Sequence, residues 1–309
     1  MKTLPVSAVV PTRNRLAALR KTLMSLKTQF VVPAELIVVD ASDDFRTRDM
    51  LARFGEHVGP NCTVKWLAAD LRGAAAQRNQ GVSAATQSAI WFFDDDILFE
   101  PECISRLWTA FLSSPDIGGA SAMITNQRYQ NPGVVSRLVF RALDGGHENY
   151  AGKVIGPAIH FLPEDSEDLP EVVPVEWLNT TCTLYHREAL PDPPFAIHFT
   201  GYSLMEDLAL SLTVGKRWKL INARTARIFH DSQPGSHKSD PVEIARMALI
   251  NRHYVARQVL GQRGVSYCWR LLVWELFQLA SATYTSTSIS SLGPSIRGKL
   301  LGLRDILLS

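Results

Sequence analysis

The sequence predicts an α/β fold built on a mostly parallel central sheet, with a helical region at its C-terminal end. Strand-like and helix-like segments alternate over roughly the first hundred residues, which is typical of βαβ units. The strand-like segments are apolar on both faces, as in ELIVV at Glu35–Val39, which is typical of parallel strands covered on both sides. From Pro241 the pattern is helical, apart from a Ser/Thr-rich break between Ser281 and Ser291. Together these observations favour a doubly wound sheet with right-handed crossovers.

The spacing of apolar residues assigns the alternating elements in order. The first strand, Val6–Val10, is rich in valine and ends at Pro11. The helix that follows has apolar residues at helical spacing from Leu16 to Phe30, which gives it one apolar stripe. The remaining segments are the strand Glu35–Val39, the helix Arg48–Phe54, the strand Val64–Leu67, the helix Ala74–Thr86 and the strand Ala89–Phe93.

Composition and charge exclude several classes of protein. The chain of 309 residues is long enough to bury a sizeable core, and its net charge of +2 is too small to indicate a nucleic-acid partner. The four cysteines are scattered and have no histidine at zinc-ligand spacing, so neither a zinc site nor a disulfide framework is expected. The N-terminal apolar run is interrupted by Pro5 and Pro11 and is interpreted as a strand rather than a signal peptide, which predicts a cytoplasmic protein.

Polar clusters follow three of the predicted strands at the point where each strand ends. They are Pro11–Asn14, Asp40–Asp44 and Asp94–Asp96. In open α/β sheets, ligands bind outside the carboxyl ends of the strands. Three strand ends that deliver polar groups to one edge of the sheet therefore indicate a ligand site.

The strongest single feature is the aspartate triplet in WFFDDDILF, Trp91–Phe99. Three adjacent carboxylates repel one another, and placing them beside a buried strand is costly unless a cation compensates. Mg²⁺ and Mn²⁺ bind through one or two carboxylates together with substrate phosphates. Strand alternation would place Asp94 and Asp96 on one side, with Asp95 reaching the ligand if a turn begins there. The alternative interpretation is a solvated acidic turn.

Two further residues fit a nucleotide but also have plain structural interpretations. Asp40 directly follows the second strand, where an acidic residue commonly accepts hydrogen bonds from a ribose or a base. It could equally form a turn or cap a helix. Arg78, in GAAAQRNQG, could face a diphosphate from its helix, or it could be a surface arginine.

A second acidic centre, Glu206 and Asp207 in MEDLALSL, stands far along the chain. Acidic residues at a helix N-terminus gain from the helix dipole, and that is the structural alternative. Two separated centres are also what group transfer requires, since one neutralises a leaving diphosphate and the other removes a proton from an attacking hydroxyl. His230 and His237 could act as metal ligands or phosphate partners, although a lone histidine is more often structural.

Taken in order, these features resemble glycosyltransferase family 2, whose members have the Rossmann-like GT-A fold. The resemblance runs from about Ser7 to His237. The segments that carry it are VVPTRNR, IVVDASDD, RGAAAQRNQG, FFDDDIL, VEWLNTTCTLYHREAL, MEDLALSL and ARIFH.

The resemblance implies a role for each matching residue. The nucleotide-binding residues would be Pro11, Thr12, Arg13, Asp40, Arg78, Asp94 and Asp95. Asp94 and Asp96 would form the D-x-D pair that holds Mn²⁺ or Mg²⁺, with His230 as a further ligand. Asp207 would be the general base, Glu206 its neighbour, and Trp177 a wall of the acceptor cleft. The sequence departs from the family pattern at Asn179–Cys182, where glycines are frequent, and at Thr213, where arginine is common.

The implied reaction is a single displacement that inverts the sugar carbon, from a nucleotide sugar to a hydroxyl of a glycan or lipid-linked acceptor. The alternatives are a sugar-nucleotide nucleotidyltransferase and a non-catalytic nucleotide-sugar binder. We predict a catalytic domain over residues 1–237, with a nucleotide-binding part of about 1–120 and an acceptor part of about 121–237.

The region 238–309 is predicted to be helical and basic, with nine Lys or Arg against four Asp or Glu. In Cys268–Tyr284 the apolar residues lie nearly all round a helix, which indicates a buried helix or one at a membrane surface. Arg270 and Glu275 interrupt the segment, so it is a poor spanning helix. Peripheral attachment to an anionic membrane, on the inner face of the cytoplasmic membrane, and an ordinary helical cap are both compatible with this pattern.

Overall fold

The computed structural model describes residues 2–56, 61–232, 240–282 and 289–308. The chain forms two compact units, Met1–Arg128 with Pro163–Gln233, and Tyr129–Leu162 with Pro234–Ser309. We call them the sheet unit and the helical unit. The domain boundary predicted after residue 237 and the candidate ligand His237 lie outside the described residues, and the boundary stays a prediction.

The strands alternate with helices as expected over the first part of the chain. The strands are β1 (Lys2–Thr12), β2 (Val31–Asp40), β3 (Thr63–Ala68), β4 (Ala89–Phe93), β5 (Ile97–Phe99), β6 (Ile117–Ile124), β7 (Val154–Ile155), β8 (Ile159–His160), β9 (Val172–Val175), β10 (Cys182–His186) and β11 (Lys219–His230). The helices are α1 (Leu16–Lys27), α2 (Arg46–Gly55), α3 (Ala74–Ala84), α4 (Cys103–Phe111), α5 (Val134–Asp144), α6 (Glu206–Val214), α7 (Pro241–Tyr254), α8 (Gly264–Ala282) and α9 (Ile289–Leu308).

The sheet unit is built on one mixed sheet in the order β3-β2-β1-β4-β10-β6-β11-β5, with β9 paired to β11. The strands β3, β2, β1 and β4 are parallel neighbours, and β6 and β11 run in the same direction as they do. β10 is antiparallel to both β4 and β6, and β5 and β9 are antiparallel to β11. The predicted α/β fold with a mostly parallel sheet is therefore confirmed.

Helix α1 follows the predicted pattern except at its end. Leu19, Leu23 and Leu26 are buried in the core on one side of the sheet. The helix ends at Lys27, three residues before Phe30, which is 68% exposed and directly precedes β2. The prediction that Phe30 continues the buried stripe is therefore wrong, because the chain leaves the helix before that position turns inward.

Helix α3 packs closely on the carboxyl ends of β1 and β2. At Gly81 a Cβ would overlap the side chain of Val9, so only glycine lets the helix approach this strand. Four residues earlier, the amide of Gln77 donates to the carbonyl oxygens of Thr12, at 3.0 Å, and Val39, at 2.7 Å. These contacts fix the helix, and with it the neighbouring Arg78, beside the ends of the two strands.

A buried carboxylate, that of Glu35, links the first three strands of the chain. Glu35 on β2 accepts a hydrogen bond from the hydroxyl of Ser7 on β1, and its carboxylate lies 2.7 Å from Lys65 Nζ on β3. It also accepts from the backbone N–H of Thr86, at 2.8 Å. Although burial opposes ionisation, these donors together lower the pKa of Glu35 to about 2.

The helical unit has its own small core. Phe140, Leu143 and Tyr150 pack with Ile155 and Ile159 of the short β7-β8 hairpin, and Trp274 and Phe277 of α8 contact them. The buried guanidinium of Arg252 on α7 donates to the carbonyl oxygens of Pro157 and Ala158. The C-terminal helices are thus present as predicted. Among the described helices, none has the length and apolar character needed to cross a bilayer.

We predict that Glu35→Gln lowers the free energy of unfolding by roughly 1–3 kcal/mol, because hydrogen bonds to a buried charged group are lost. The native carboxylate has a lowered pKa, so its stabilisation is full above the ordinary pKa of 4.5 and is lost as the pH falls towards about 2. Urea unfolding at several pH values, with the exposed Glu188→Gln as the control, measures this. Equal unfolding free energies for Glu35→Gln and wild type at pH 7 would contradict the prediction.

Candidate active site

The aspartate triplet forms the turn between β4 and β5, so strand alternation does not continue through it. The hydroxyl of Thr22 on α1 holds this turn: it donates to the carbonyl oxygen of Asp95 at 2.9 Å and accepts from the N–H of Ile97 at 3.1 Å. The N–H of Asp94 donates to the carbonyl oxygen of Thr181 at 3.2 Å. The turn is therefore anchored on both sides, and its three carboxylates have defined partners.

The carboxylate of Asp95 contacts the end of β1 and the loop that follows it. Thr12 donates to one of its carboxylate oxygens at 2.6 Å, and Arg15 lies 3.1 Å from the other. The same guanidinium nitrogen of Arg15 is 3.1 Å from Asp96. Burial raises the pKa of Asp95 to about 6, against the opposing effect of Thr12 and Arg15.

Asp94, Asp96 and His230 together form a group that could hold a metal ion, because one ligand atom from each lies within 4.8 Å of the others. The pairing of β11 with β5 brings His230 opposite Ile97, next to the turn. His230 Nε2 is 3.2 Å from Asp96, and its Nδ1 is 3.1 Å from the amide of Gln127. Two carboxylate oxygens and an imidazole nitrogen are a suitable donor set for Mn²⁺, and the carboxylates also suit Mg²⁺.

Arg78 joins the two acidic centres. Its guanidinium is 2.7 Å from Asp94 and 3.0 Å from Glu206, and the residue is only 3% exposed. The guanidinium also lies over the ring of Phe195, 5.7 Å from its centroid. The alternative interpretation of Arg78 as a surface arginine is therefore wrong. The triplet and the Glu-Asp pair therefore lie close together, with the buried guanidinium of Arg78 between them.

The Glu-Asp pair stands at the start of α6, after a strained segment of backbone. Ser203 and Met205 have φ values of 58° and 69°, which L-residues rarely adopt. The N–H of Leu208 donates to Asp207 at 2.7 Å. Burial raises the pKa of both carboxyls, and their mutual repulsion adds to the rise for Glu206, while Arg78 opposes it. Such a pair can hold a proton near neutral pH.

A close approach of two glycines holds this segment near α3. Gly73, at φ 138°, pairs with Gly201, at φ 60°, through an isolated bridge between their backbones. A Cβ on Gly73 would lie 3.2 Å from the backbone of Gly201. Glycine is thus needed at Gly73, both for the backbone conformation and for the space.

The other predicted nucleotide-site residues lie along the ends of β1 and β2. Asp40 pairs in register with Thr12, is buried, and accepts hydrogen bonds from the N–H of Ser42 and the indole of Trp66. Its turn-forming interpretation therefore fits the structure, and any ligand contact is additional. Pro11 is partly buried, whereas Arg13 is exposed.

Trp177, the predicted acceptor residue, is buried at 7% exposure. The next residue, Leu178, accepts and donates hydrogen bonds with the hydroxyl of Ser211 on α6. Trp177 therefore lies in a segment that is attached to the helix of the Glu-Asp pair. Its role toward an acceptor stays a prediction.

Several site residues were missed from the sequence. Arg15 lies in the same PTRNR motif as Arg13, whose own role stays a prediction, and it pairs with Asp95 and Asp96. Burial raises the pKa of Tyr202, and the carboxylates of Glu206 and Asp94 add to the rise. Tyr202 therefore lies near both acidic centres. Thr22 and Gln127 gave no sequence signal, since their partners are far along the chain.

The chain is similar to one protein family and to several solved structures. Residues 7–156 match the model of the family described as glycosyl transferase family 2. No curated protein matches the chain. The mannosyltransferase PcManGT from Pyrobaculum calidifontis, solved in complex with GDP-Man and Mn²⁺, is similar with a TM-score of 0.58 and 14% identity, over 97% of this chain and 87% of that one.

Two further solved structures are similar. TarS 1-349 of S. aureus, in complex with UDP-GlcNAc, has a TM-score of 0.50 and 15% identity, over 96% of this chain and 79% of that one. GalNAc-T7, solved with UDP, GalNAc and Mn²⁺, has a TM-score of 0.53 and 15% identity, over 82% of this chain and 47% of that one. At these identities the similarity shows the fold, which is the GT-A fold that the sequence resemblance implied.

We predict that His230→Ala weakens Mn²⁺ binding by at least about tenfold, because it removes the only nitrogen donor of the group. Titration of Mn²⁺ followed by electron paramagnetic resonance of the free ion measures the affinity. The control is Asp231→Asn, which changes the next carboxylate along the chain, one that pairs with Lys21. Equal Mn²⁺ affinity in His230→Ala and wild type would show that the ion binds elsewhere.

Proposed function

We propose that the chain, whose residues 7–156 match the model of glycosyl transferase family 2, is an inverting enzyme that moves a sugar from a nucleotide diphosphate sugar to a hydroxyl group. The acceptor in this proposal is a glycan or a lipid-linked molecule. The observation that carries the proposal is the ion-pair chain from Asp94 through Arg78 to Glu206, which brings the two acidic centres together.

On the donor side, Asp94, Asp96 and His230 would hold Mn²⁺ or Mg²⁺, as their donor atoms and spacing support. A divalent cation at that place supplies positive charge for the departing diphosphate. Pro11, Thr12, Arg13, Asp40 and Asp95 would line the nucleotide site, since they lie at the neighbouring ends of β1, β2 and β4. Arg15 adds a guanidinium group beside Asp95 and Asp96, and Arg78 adds one beside Asp94.

On the acceptor side, Asp207 would remove the proton from the attacking hydroxyl. Burial raises its pKa, which makes it a stronger base than an exposed aspartate. Glu206 is held by Arg78, so the two neighbouring carboxyls do not have the same environment. Trp177, in the segment bonded to α6, would wall the cleft from behind this pair.

A sugar-nucleotide nucleotidyltransferase is less well supported. That class usually has a Gly-rich, Lys-bearing phosphate loop after its first strand, whereas β1 here ends in PTRNR with no glycine. A non-catalytic binder has no need for a second acidic centre, yet strained backbone precedes Glu206 and Asp207 and Arg78 pairs with Glu206.

The experiment that tests the function is a thermal-shift panel of nucleoside diphosphates, nucleoside triphosphates and nucleotide sugars, each with and without Mn²⁺. Ligands that bind only the folded state raise its stability with the logarithm of their excess over Kd. We expect one diphosphate and its nucleotide sugar to stabilise the protein, and Mn²⁺ to strengthen the effect. Stabilisation by a nucleoside triphosphate and not by the diphosphate would favour nucleotidyl transfer and contradict the proposal.

We predict that Asp207→Asn keeps donor binding and lowers turnover by roughly 10²–10⁴-fold, because a general base acts only on the reacting hydroxyl. Turnover is measured as release of nucleoside diphosphate from the donor identified above, with water as the acceptor. Donor binding is measured by the thermal shift. The exposed Glu188→Gln serves as the control and should release diphosphate at the wild-type rate. Wild-type turnover by Asp207→Asn would remove Asp207 from the reaction.

A further inference from the structure

Helix α9 of the helical unit is packed with its smallest residues inward. Its Gly298 and Gly302 lie against the backbone of α7, where a Cβ on Gly298 would overlap the carbonyl oxygen of Val242 and one on Gly302 would come within 3.0 Å of that of Arg246. On the same side of α9, Asp305 pairs with Arg246 at 2.6 Å. The packed side of this helix is therefore made of glycine and an ion pair.

The opposite side of α9 carries its large apolar residues. Ile296, Leu300, Leu303 and Leu307 follow one another at intervals of four, three and four residues, which places them in one stripe. At 3.6 residues per turn, that stripe is centred about half a turn away from Gly298 and Gly302. All four side chains are exposed, Leu300 by 63% and Leu307 by 76%. The helix thus has the reverse of the usual arrangement, in which large apolar residues face the core.

Helix α8 also has an exposed apolar stripe, although its packed side includes Trp274 and Phe277, which contact the core of the helical unit. Its buried residues are Tyr267 and Glu275, and Glu275 forms ion pairs with Arg252 of α7 and Lys299 of α9. Its outward stripe has the same spacing as that of α9 and consists of Val265, Trp269, Leu272 and Leu276, all exposed. Two successive helices therefore each have a stripe of large apolar side chains that is exposed, on the side away from their buried residues.

The charges beside these stripes indicate what covers them. In the described part of α9, the exposed residues are glycine, apolar residues and the two arginines Arg297 and Arg304, of which Arg304 also pairs with Asp305 at 3.1 Å. In the described part of α8, no exposed residue is charged. Pairing of α9 with α9 of a second copy would bring these arginines together, whereas an anionic surface would attract them. The partner that the charges favour is therefore apolar and negatively charged.

We propose that the outward stripes of α8 and α9 bind the surface of an anionic lipid bilayer. The apolar side chains enter the boundary between headgroups and acyl chains, Trp269 lies at the same level, and Arg297 and Arg304 contact lipid phosphates. The helices lie on the membrane and do not cross it, in agreement with their length and composition. This attachment needs neither donor nor acceptor, so it stands apart from the proposed reaction.

The test is flotation of the full chain with vesicles of phosphatidylcholine, with or without phosphatidylglycerol, at low salt. We expect the chain to float with the anionic vesicles, to stay behind with phosphatidylcholine alone, and to be released by high salt. The double variant Leu300→Glu with Leu303→Glu should lose about tenfold or more of the binding, because both leucines would leave the lipid. The matched control is Leu71→Glu with Leu112→Glu, two exposed leucines of the sheet unit that should have no effect.

Three results would overturn the proposal. One is wild-type vesicle binding by the Leu300 and Leu303 variant. Another is equal binding to neutral and anionic vesicles. The third is a wild-type chain that does not bind vesicles and forms a dimer in sedimentation velocity, while the Leu300 and Leu303 variant is a monomer. That result would assign the stripes to contact with a second copy. If the two glutamates unfold the chain, the double variant Arg297→Gln with Arg304→Gln is tested instead. The proposal requires this variant to bind the anionic vesicles more weakly than the wild type does. Each variant is also tested for nucleotide binding with Mn²⁺, so that loss of lipid binding and loss of the proposed function are distinguished.

Discussion

The ion-pair chain through Arg78 is the interaction on which the site depends. A buried guanidinium is very unfavourable unless anions accept its hydrogen bonds, and here Asp94 and Glu206 do so from two different parts of the chain. The position of Arg78 is fixed in turn by the close packing of α3 on β1 and β2 at Gly81 and Gln77. The same contacts that stabilise the sheet therefore set the distance between the two acidic centres.

The aspartate triplet and the Glu-Asp pair carry negative charge that the neighbouring arginines compensate only in part. Arg15 is shared between Asp95 and Asp96, and Arg78 between Asp94 and Glu206, while burial raises the pKa of Asp95, Glu206 and Asp207. Such a cluster favours additional positive charge, which a divalent cation between Asp94, Asp96 and His230 would provide. The electrostatics of the site and the donor atoms of that group lead to the same expectation.

The helical unit obeys a different constraint. In the sheet unit the large apolar residues of α1 and α4 face the core, as in most helices of water-soluble domains. In α9 the glycines and the ion pair of Asp305 occupy the packed side. In α8 the ion pairs of Glu275 lie there beside Trp274 and Phe277, and the leucines of both stripes are left outside. The stability of this packing comes from close helix approach and buried ion pairs, and the apolar surface remains for a partner.

What the sequence determined by itself was local. The apolar strands, the polar residues at their carboxyl ends, the aspartate triplet and the acidic start of α6 are all encoded within a few residues, because strand alternation and helix capping are short-range properties. The tertiary structure decided the rest. The pairing of β11 with β5 places His230 beside Asp96, and the turn of the triplet sends Asp95 to Thr12 and Arg15 rather than to the metal group. Phe30 is exposed, and Arg15 pairs with Asp95 and Asp96, because the orientation of a side chain past the end of an element depends on packing. In the same way, the apolar pattern of α9 did not reveal which side faces outward, since that depends on the glycine contact with α7.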